Sequence, residues 1–143
     1  MVHLTRLSDN VIDLIPSGHS PADPERGILE AYSFLICVGG QKAGTCELRT
    51  GSGERIRLTG HIAYTVYPAF RGHHYAARAC ALLKALAPSL GQRELFIAVR
   101  PFNLASKRTC ELLKAEPCAE VPIPQGDPLY RSDQPYMLCY KLL

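Results

Sequence analysis

The sequence predicts an α+β fold that is built around a βαβ core. Up to position 67 the apolar residues alternate with polar ones between turn signals, which is typical of antiparallel strands. From position 73, and again from position 103, apolar residues recur at the spacing of a helix. A short and almost wholly apolar run separates the two helical segments, as expected for a strand that is covered on both faces.

Three strands are expected in the first half of the chain, at 31–38, 41–49 and 55–67. Gly39-Gly40 predicts a two-residue hairpin turn between the first two strands. Pro68 ends the third strand, because proline has no N–H to donate to a ladder. Residues 1–30 are the least regular part of the chain, and 16–27 has the composition of turns.

In the second half, helices are expected at 73–87 and 103–115, and strands at 95–99 and 136–143. Pro88 and Gly91 close the first helix, and Asn103 is a suitable N-cap for the second. The proline-rich segment 116–135 is expected to be a loop with one short extended piece near Val121.

Composition indicates a single globular domain over residues 1–143 and excludes several classes of protein. Apolar residues make up 47% of the chain and charged residues 20%, which is ordinary for a globular protein. The net charge of +3 is spread along the chain, so no nucleic-acid partner is expected. No run of 18 apolar residues occurs, so no membrane span is expected.

The six cysteines form no CxxC pair, so neither a zinc site nor any other metal site is expected. The N-terminal residues lack the basic-then-apolar layout of a signal peptide. Together these features predict a cytoplasmic protein whose cysteines are reduced thiols. Those at positions 37, 46, 80 and 139 lie in apolar segments, where a thiol behaves as a small core residue.

The stretch 62–77 is the most informative for function. A buried strand ends there, a loop with Arg71-Gly72 follows, and a helix begins. The first N–H groups of a helix have no partner within it, and the helix dipole favours an anion beside them. Gly72 and Ala76 would keep side chains out of the way, and Arg71 could add a charge-assisted hydrogen bond. Taken alone, such a junction predicts either a phosphate site or an ordinary solvated turn.

Three segments resemble motifs of the GNAT superfamily of N-acetyltransferases. VYPAFRGHHYAARACALL, at 66–83, resembles motif A, and FNLASKRTCE, at 102–111, resembles motif B with its N-x-x-S at a helix start. AGTCELR, at 43–49, resembles a strand with the pattern G-x-x-x-L-R. The resemblance covers residues 31–143 and is strongest to the branch of ribosomal-protein N-terminal acetyltransferases. It implies the GNAT fold: a mixed, mostly antiparallel sheet with a central βαβ acyl-CoA-binding core flanked by helices.

The resemblance also implies acetyl-CoA as co-substrate, and it assigns residues to it. Val66 and Tyr67 would offer backbone hydrogen bonds to the pantetheine amides. Asn103 would bond the pantetheine arm, with Ser106 close by. The CoA pyrophosphate would be cradled by Arg71, Gly72, His73, His74, Tyr75 and Ala76.

Two single positions and one helix ending depart from the family pattern. At that ending, Leu113-Lys114-Ala115-Glu116 replaces the usual Gly-aromatic sequence, which is expected to alter only the C-cap. His74 stands where most members have glycine, so its side chain must point away from the pyrophosphate or join the site as a partly protonated imidazole. Cys110 stands where many members have a tyrosine that is thought to protonate the leaving thiolate.

The implied reaction is direct attack of a primary amine on the thioester in a ternary complex, the amine belonging to a small molecule or a protein N-terminus. Making a lysine amine neutral at pH 7 costs about 4–5 kcal/mol, against about 1.4 kcal/mol for an α-amine. Glu47, His61 or a water held by Tyr64 could act as base, and Cys110 could act as acid. Strand alternation puts His61 on the opposite face from Tyr64, whereas a β-bulge between them would reverse that. Each of these four residues also has a purely structural interpretation, as a packed or solvated side chain.

Two other functions stay open at this stage. A catalytically silent CoA-binding module would share the fold and the cofactor residues. A small-anion-binding module would bind phosphate or a nucleotide without preferring the pantetheine arm. The expected partners are acetyl-CoA and an amine acceptor, and a homodimer is compatible with the sequence. The sequence does not identify the acceptor.

Overall fold

The computed structural model describes residues 4–143, so residues 1–3 of the predicted domain lie outside the described part. Residues 4–143 form one five-stranded and one three-stranded sheet. The first sheet has the order β1 (Leu7–Ser8), β2 (Asp13–Ser20), β3 (Glu30–Val38), β4 (Gln41–Thr50), β5 (Ile62–Val66), all neighbours antiparallel. The second contains β6 (Phe96–Val99), β7 (Glu116–Pro122) and β8 (Tyr136–Lys141), with β8 in the middle. The described part of the chain also contains three α-helices: α1 (Ile56–Thr59), α2 (Tyr75–Leu86) and α3 (Leu104–Leu112).

The predicted α+β class is confirmed. The β3–β4 hairpin turns at Gly39-Gly40, with Val38 opposite Gln41. Both long helices lie where the sequence predicts them, and Asn103 caps α3 by accepting a hydrogen bond from the Ser106 N–H at 3.0 Å. The predicted βαβ core is β5–α2–β6, but its two strands form no ladder and belong to different sheets.

Two strands lie where turns or loop were expected. β2 includes Pro16, and β7 is seven residues long with Pro117 near its start. Both prolines sit beside register shifts, and β7 is the edge of its sheet. β2 pairs with β1 only through Leu14 and Asp13, so it is an edge strand at Pro16. Proline is tolerated at edges and bulges because no ladder needs its missing N–H.

The predicted strand 55–67 is wrong in its first part, which forms the single turn α1. Ile56 and Leu58 are both buried, and their alternation has the period of a strand. A segment of one turn is too short for helical and strand periods to be distinguished. Gly60, at φ +73°, ends the turn, and β5 begins at Ile62.

The main core lies between the five-stranded sheet and α2. Phe34, Ile36 and Leu48 of the sheet are fully buried, as are Cys80 and Leu83 of α2. The thiols of positions 46, 80, 110 and 139 are buried as core residues, whereas Cys37 is partly buried and Cys118 is exposed. No helix of the described residues is long and apolar enough to cross a membrane.

Gly44 explains one part of the 43–49 motif physically. It lies opposite Val66 in the β4–β5 ladder. A Cβ at this position would clash with the Thr65 carbonyl oxygen. Glycine is therefore required at this place in the β4–β5 ladder.

Candidate active site

The free edge of β5 forms one wall of the site. The Tyr67 N–H donates to the Ala43 carbonyl at 2.8 Å, and Thr65 lies opposite Thr45 in the same ladder. Backbone groups along a strand point alternately to its two sides. The N–H groups of Tyr64 and Val66 therefore face away from β4, towards β6, with which β5 forms no ladder in the described chain.

The start of β5 is joined to β6 by a histidine side chain. The His61 N–H donates to the Phe96 carbonyl at 2.7 Å, and the Phe96 N–H donates back to His61 Nδ1 at 3.0 Å. His61 Nε2 lies 2.9 Å from the Gly51 carbonyl. Because Nδ1 accepts, Nε2 carries the proton and donates, so the imidazole is neutral. Burial, the largest influence, lowers the pKa of His61 below its usual range.

Beyond this junction the two strands separate, and a cleft of about 600 Å³ opens between the end of β5, the start of α2 and the face of α3. Its lining includes most of the residues that the sequence assigns to the cofactor. These are Val66, Arg71, Gly72, His74, Tyr75, Ala76, Asn103 and Ser106. Tyr64, a predicted catalytic residue, lines it as well.

The N-terminus of α2 opens onto this cleft without a cap from any side chain of the described residues. Its N-cap is His74, whose backbone is in the left-handed region at φ +62°. This conformation explains why glycine is usual at this position in the family pattern. Arg71 donates from Nε to the Val66 carbonyl at 3.0 Å, which leaves its two terminal nitrogens for an anion. The arrangement suits a phosphate.

Tyr64 crosses the inner end of the cleft and donates from its hydroxyl to Ser106 Oγ at 2.9 Å. Burial, the largest influence, raises the pKa of Tyr64 to about 12. The hydroxyl therefore stays protonated at neutral pH and is held by its hydrogen bond to Ser106.

Five predicted site residues lie outside the cleft lining: Glu47, which lines a second cavity, and Tyr67, His73, His61 and Cys110. Both backbone groups of Tyr67 are already bonded, its N–H to Ala43 and its carbonyl to the Phe70 N–H, so it has no strand-edge donor for pantetheine. His73 is exposed and does not line the cleft, although its ring stacks on that of Tyr75, which does. His61 is 1% exposed with both ring nitrogens bonded, which argues against its role as a base. Cys110 is 0% exposed, and burial raises its pKa to about 12. The thiol is therefore not exposed in the cleft, which argues against its role as an acid.

Sequence reasoning missed five residues of the lining, namely Thr65, Phe70, Ala105, Arg108 and Thr109. Helical spacing gives a signal for two of them. Thr109 lies three residues after Ser106 and four after Ala105, so one face of α3 presents them together. Thr65 carries no such signal, because its exposure depends on the separation of β5 from β6.

A second cavity of about 400 Å³ lies on the other face of the five-stranded sheet. Glu47 lines it, with its side chain 32% exposed and Oε2 at 3.2 Å from the Arg49 guanidinium. Tyr64 and Thr65 line this cavity and the cleft alike, so the two meet at the end of β5. No group of three or more potential metal ligands occurs among residues 4–143.

Comparisons with known proteins agree with this architecture. A family model described as an acetyltransferase (GNAT) domain matches residues 14–116. RimL, an alpha-N-protein acetyltransferase of a ribosomal protein, has a TM-score of 0.60 at 19% identity, over 78% of this chain and 68% of RimL. The microcin self-immunity acetyltransferase MccE, solved with acetyl-CoA and AMP, has a TM-score of 0.61 at 16% identity, over 78% of this chain and 59% of MccE.

A further solved protein, assigned as an acetyltransferase by inference, has a TM-score of 0.69 at 16% identity, over 99% of this chain and 87% of that one. No curated protein matches the sequence. The aligned part of the chain spans 59% of MccE and 68% of RimL. At these identities the solved structures establish the fold.

Proposed function

This chain belongs to the GNAT acetyltransferase family, and from that premise we propose that it transfers an acetyl group from acetyl-CoA to a primary amine by direct attack on the thioester. One observation carries the proposal. A strand edge with free N–H groups, an uncapped helix N-terminus and Asn103 converge on a single cleft. A phosphate-bearing, amide-containing thioester uses all three.

In this proposal the pyrophosphate lies at the N-terminus of α2, with Arg71 supplying charge-assisted hydrogen bonds. The pantetheine arm runs between β5 and α3, along Val66 and the Asn103 side chain. The Val66 N–H, which no ladder uses, would donate to the thioester oxygen as negative charge develops there.

Two proton transfers complete the reaction. Glu47 is the base candidate that the geometry favours, because its carboxylate faces the second cavity beside the end of β5. The Tyr64 hydroxyl, bonded to Ser106, is the donor candidate for the leaving thiolate. Neither His61 nor Cys110 takes part, since both are buried away from the cleft.

The binding half of the proposal is tested by thermal unfolding with acetyl-CoA. A ligand at a hundred times its dissociation constant stabilises the folded state by about 2.7 kcal/mol. We expect Arg71→Ala to weaken acetyl-CoA binding roughly tenfold, because charge-assisted hydrogen bonds are lost. Arg93→Ala, an exposed arginine outside the cleft, is the matched control and should bind as the parent does.

Stabilisation by pyrophosphate but not by acetyl-CoA would support the small-anion-binding alternative instead. The catalytic half is tested by release of free thiol from acetyl-CoA in the presence of a panel of amines. Tight binding of acetyl-CoA with no amine-dependent thiol release would identify a silent binding module.

A further inference from the structure

The second cavity has a distinctive polar lining. Two adjacent rows of side chains cross the outer face of the sheet: Ser33, Glu47 and Ala63 in one, and Thr45 and Thr65 in the other. Ser17 joins them from β2, at the register shift that separates Pro16 from Gly18. A bulge turns its extra residue out of the regular alternation.

The four hydroxyls of this lining are available to a ligand. Within residues 4–143, the side-chain hydrogen bonds include none from or to the hydroxyls of Ser17, Ser33, Thr45 or Thr65. Each hydroxyl is both a donor and an acceptor. Four such groups around one cavity of about 400 Å³ favour a ligand that is itself rich in hydrogen-bonding groups.

Glu47 is the single ionisable carboxylate in this lining. Its Oε2 is paired with Arg49, whose Nη1 donates to the carbonyls of Thr59 at 2.9 Å and Gly60 at 3.0 Å. The guanidinium is therefore held against the end of α1 and does not line the cavity, while Oε1 of Glu47 is left for a ligand. The cavity offers a carboxylate oxygen and no cation of its own among the described residues, so it suits an ammonium group and disfavours a carboxylate beside it.

We propose that this cavity is the acceptor site and that its acceptor is a small hydroxylated primary amine, such as an amino alcohol or amino sugar. The inference rests on the proposed acetyltransferase function. The cavity meets the cleft at Tyr64 and Thr65, where the thioester would end. A hydroxyl close to an amine withdraws electrons and makes the amine less basic, which lowers the cost of its neutral form.

The bound ammonium group gives one proton to Glu47, and the neutral nitrogen attacks the thioester carbonyl carbon. A C–N bond forms and the C–S bond breaks, and the departing thiolate takes up a proton from the Tyr64–Ser106 pair. The nitrogen's second proton, lost as the amide forms, replaces the proton of that pair, and Glu47 releases its proton to solvent. The products are the N-acetylated amine, free CoA and one proton released to solvent.

The test compares acceptors that are matched in size. Aminopropanediol and pentylamine have equal numbers of non-hydrogen atoms, and rates are corrected to the neutral fraction of each amine. We expect kcat/KM for aminopropanediol to exceed that for pentylamine roughly tenfold, the equivalent of one or two net hydrogen bonds. The double variant Ser33→Ala, Thr45→Val should bring the two values close together through the acceptor KM, with the KM for acetyl-CoA unchanged.

Ser52→Ala, an exposed serine outside both cavities, is the control and should keep the preference. Equal or better use of pentylamine by the parent protein would overturn the inference, as would a double variant that keeps the preference. Clear superiority of a short serine-initiated peptide over aminopropanediol would assign the site to protein N-termini instead. Acetyl-CoA binding without acetylation of any of these amines would defeat the proposed function itself.

Discussion

The two ends of β5 differ in what faces their backbone. At the start, the His61 N–H and ring bond both backbone groups of Phe96 and hold β5 to β6. At the other end, the N–H groups of Tyr64 and Val66 meet an open cleft. The His61 side chain thus replaces one strand-to-strand hydrogen bond, and no ladder between β5 and β6 follows it in the described chain. The site therefore depends on a fixed junction at one end of β5 as much as on free N–H groups at the other.

The largest effect is expected from a change at the junction itself. Gly60 has φ +73°, and a Cβ there would lie 2.9 Å from the Ala98 nitrogen and 3.1 Å from the Phe96 oxygen. We expect Gly60→Ala to destabilise the fold by about 2–4 kcal/mol, through backbone strain and overpacking together. Urea unfolding measures the loss. Gly126→Ala, where a Cβ meets nothing within 4 Å, is the control and should stay within about 0.5 kcal/mol of the parent.

Replacing the histidine should have a somewhat smaller effect. His61→Phe keeps a ring but leaves the Phe96 N–H unpaired and the Gly51 carbonyl with only the 3.3 Å hydrogen bond from Gln92, so we expect a loss of about 1–3 kcal/mol. His61→Gln, which can still donate and accept, should lose less. If the phenylalanine variant is as stable as the parent, the ring is only packed there and the junction does not depend on its hydrogen bonds.

The same residue predicts a pH dependence. The folded-state pKa of His61 lies below its unfolded value of 6.5, so the unfolded chain binds the proton more readily. The stability that the neutral ring contributes is complete above pH 6.5 and is lost as pH falls from there towards the folded-state pKa. Glu94, which opposes the shift, and Arg49, which adds to it, are the charged groups that act on the ring. We expect the difference in unfolding free energy between the parent and His61→Phe to shrink below pH 6.5.

The smallest effect is expected at the open end. His74 occupies the left-handed region, which costs a non-glycine residue roughly 1–2 kcal/mol, whereas fixing a glycine there costs up to about 1 kcal/mol in entropy. His74→Gly should therefore stabilise the fold by up to about 1 kcal/mol in urea unfolding. Lys114→Gly, at φ +55° beyond α3, is the matched control. A similar gain in unfolding free energy in both variants, with unchanged acetyl-CoA affinity, indicates that the His74 side chain does not hold the ligand. A weaker affinity in His74→Gly alone would show that the imidazole holds the ligand.

The sequence predicted the open end far better than the junction. The loop and helix start after position 70 carry local signals, and the Asn103 cap is readable from its place before a helix. His61 carries no such signal, because its partners at positions 51 and 96 are brought to it only by the tertiary fold. Its position in the motif alone makes Cys110 a catalytic candidate. That its side chain is buried cannot be predicted from the sequence.

The prolines in β2 and β7 show a second limit of prediction from the sequence. Pro16 and Pro117 favour turns by local chemistry, and only their positions at sheet edges and bulges make them compatible with strands. Which strand becomes an edge is decided by the topology of the whole sheet. Local propensity therefore predicted the central hairpin of 30–50 well and the edge strands poorly.

Amide hydrogen exchange tests the alternating direction of the backbone N–H groups along β5, because it reports which N–H groups are bonded. Without ligand, we predict that the amides of Tyr64 and Val66 exchange fast while that of Thr65, bonded into the β4 ladder, exchanges slowly. Saturating acetyl-CoA should slow the exchange of Val66, with Thr65 unchanged. Slow exchange of Tyr64 and Val66 in the free protein, or no change at Val66 with acetyl-CoA bound, would contradict the proposal that the free N–H groups of β5 bind the co-substrate.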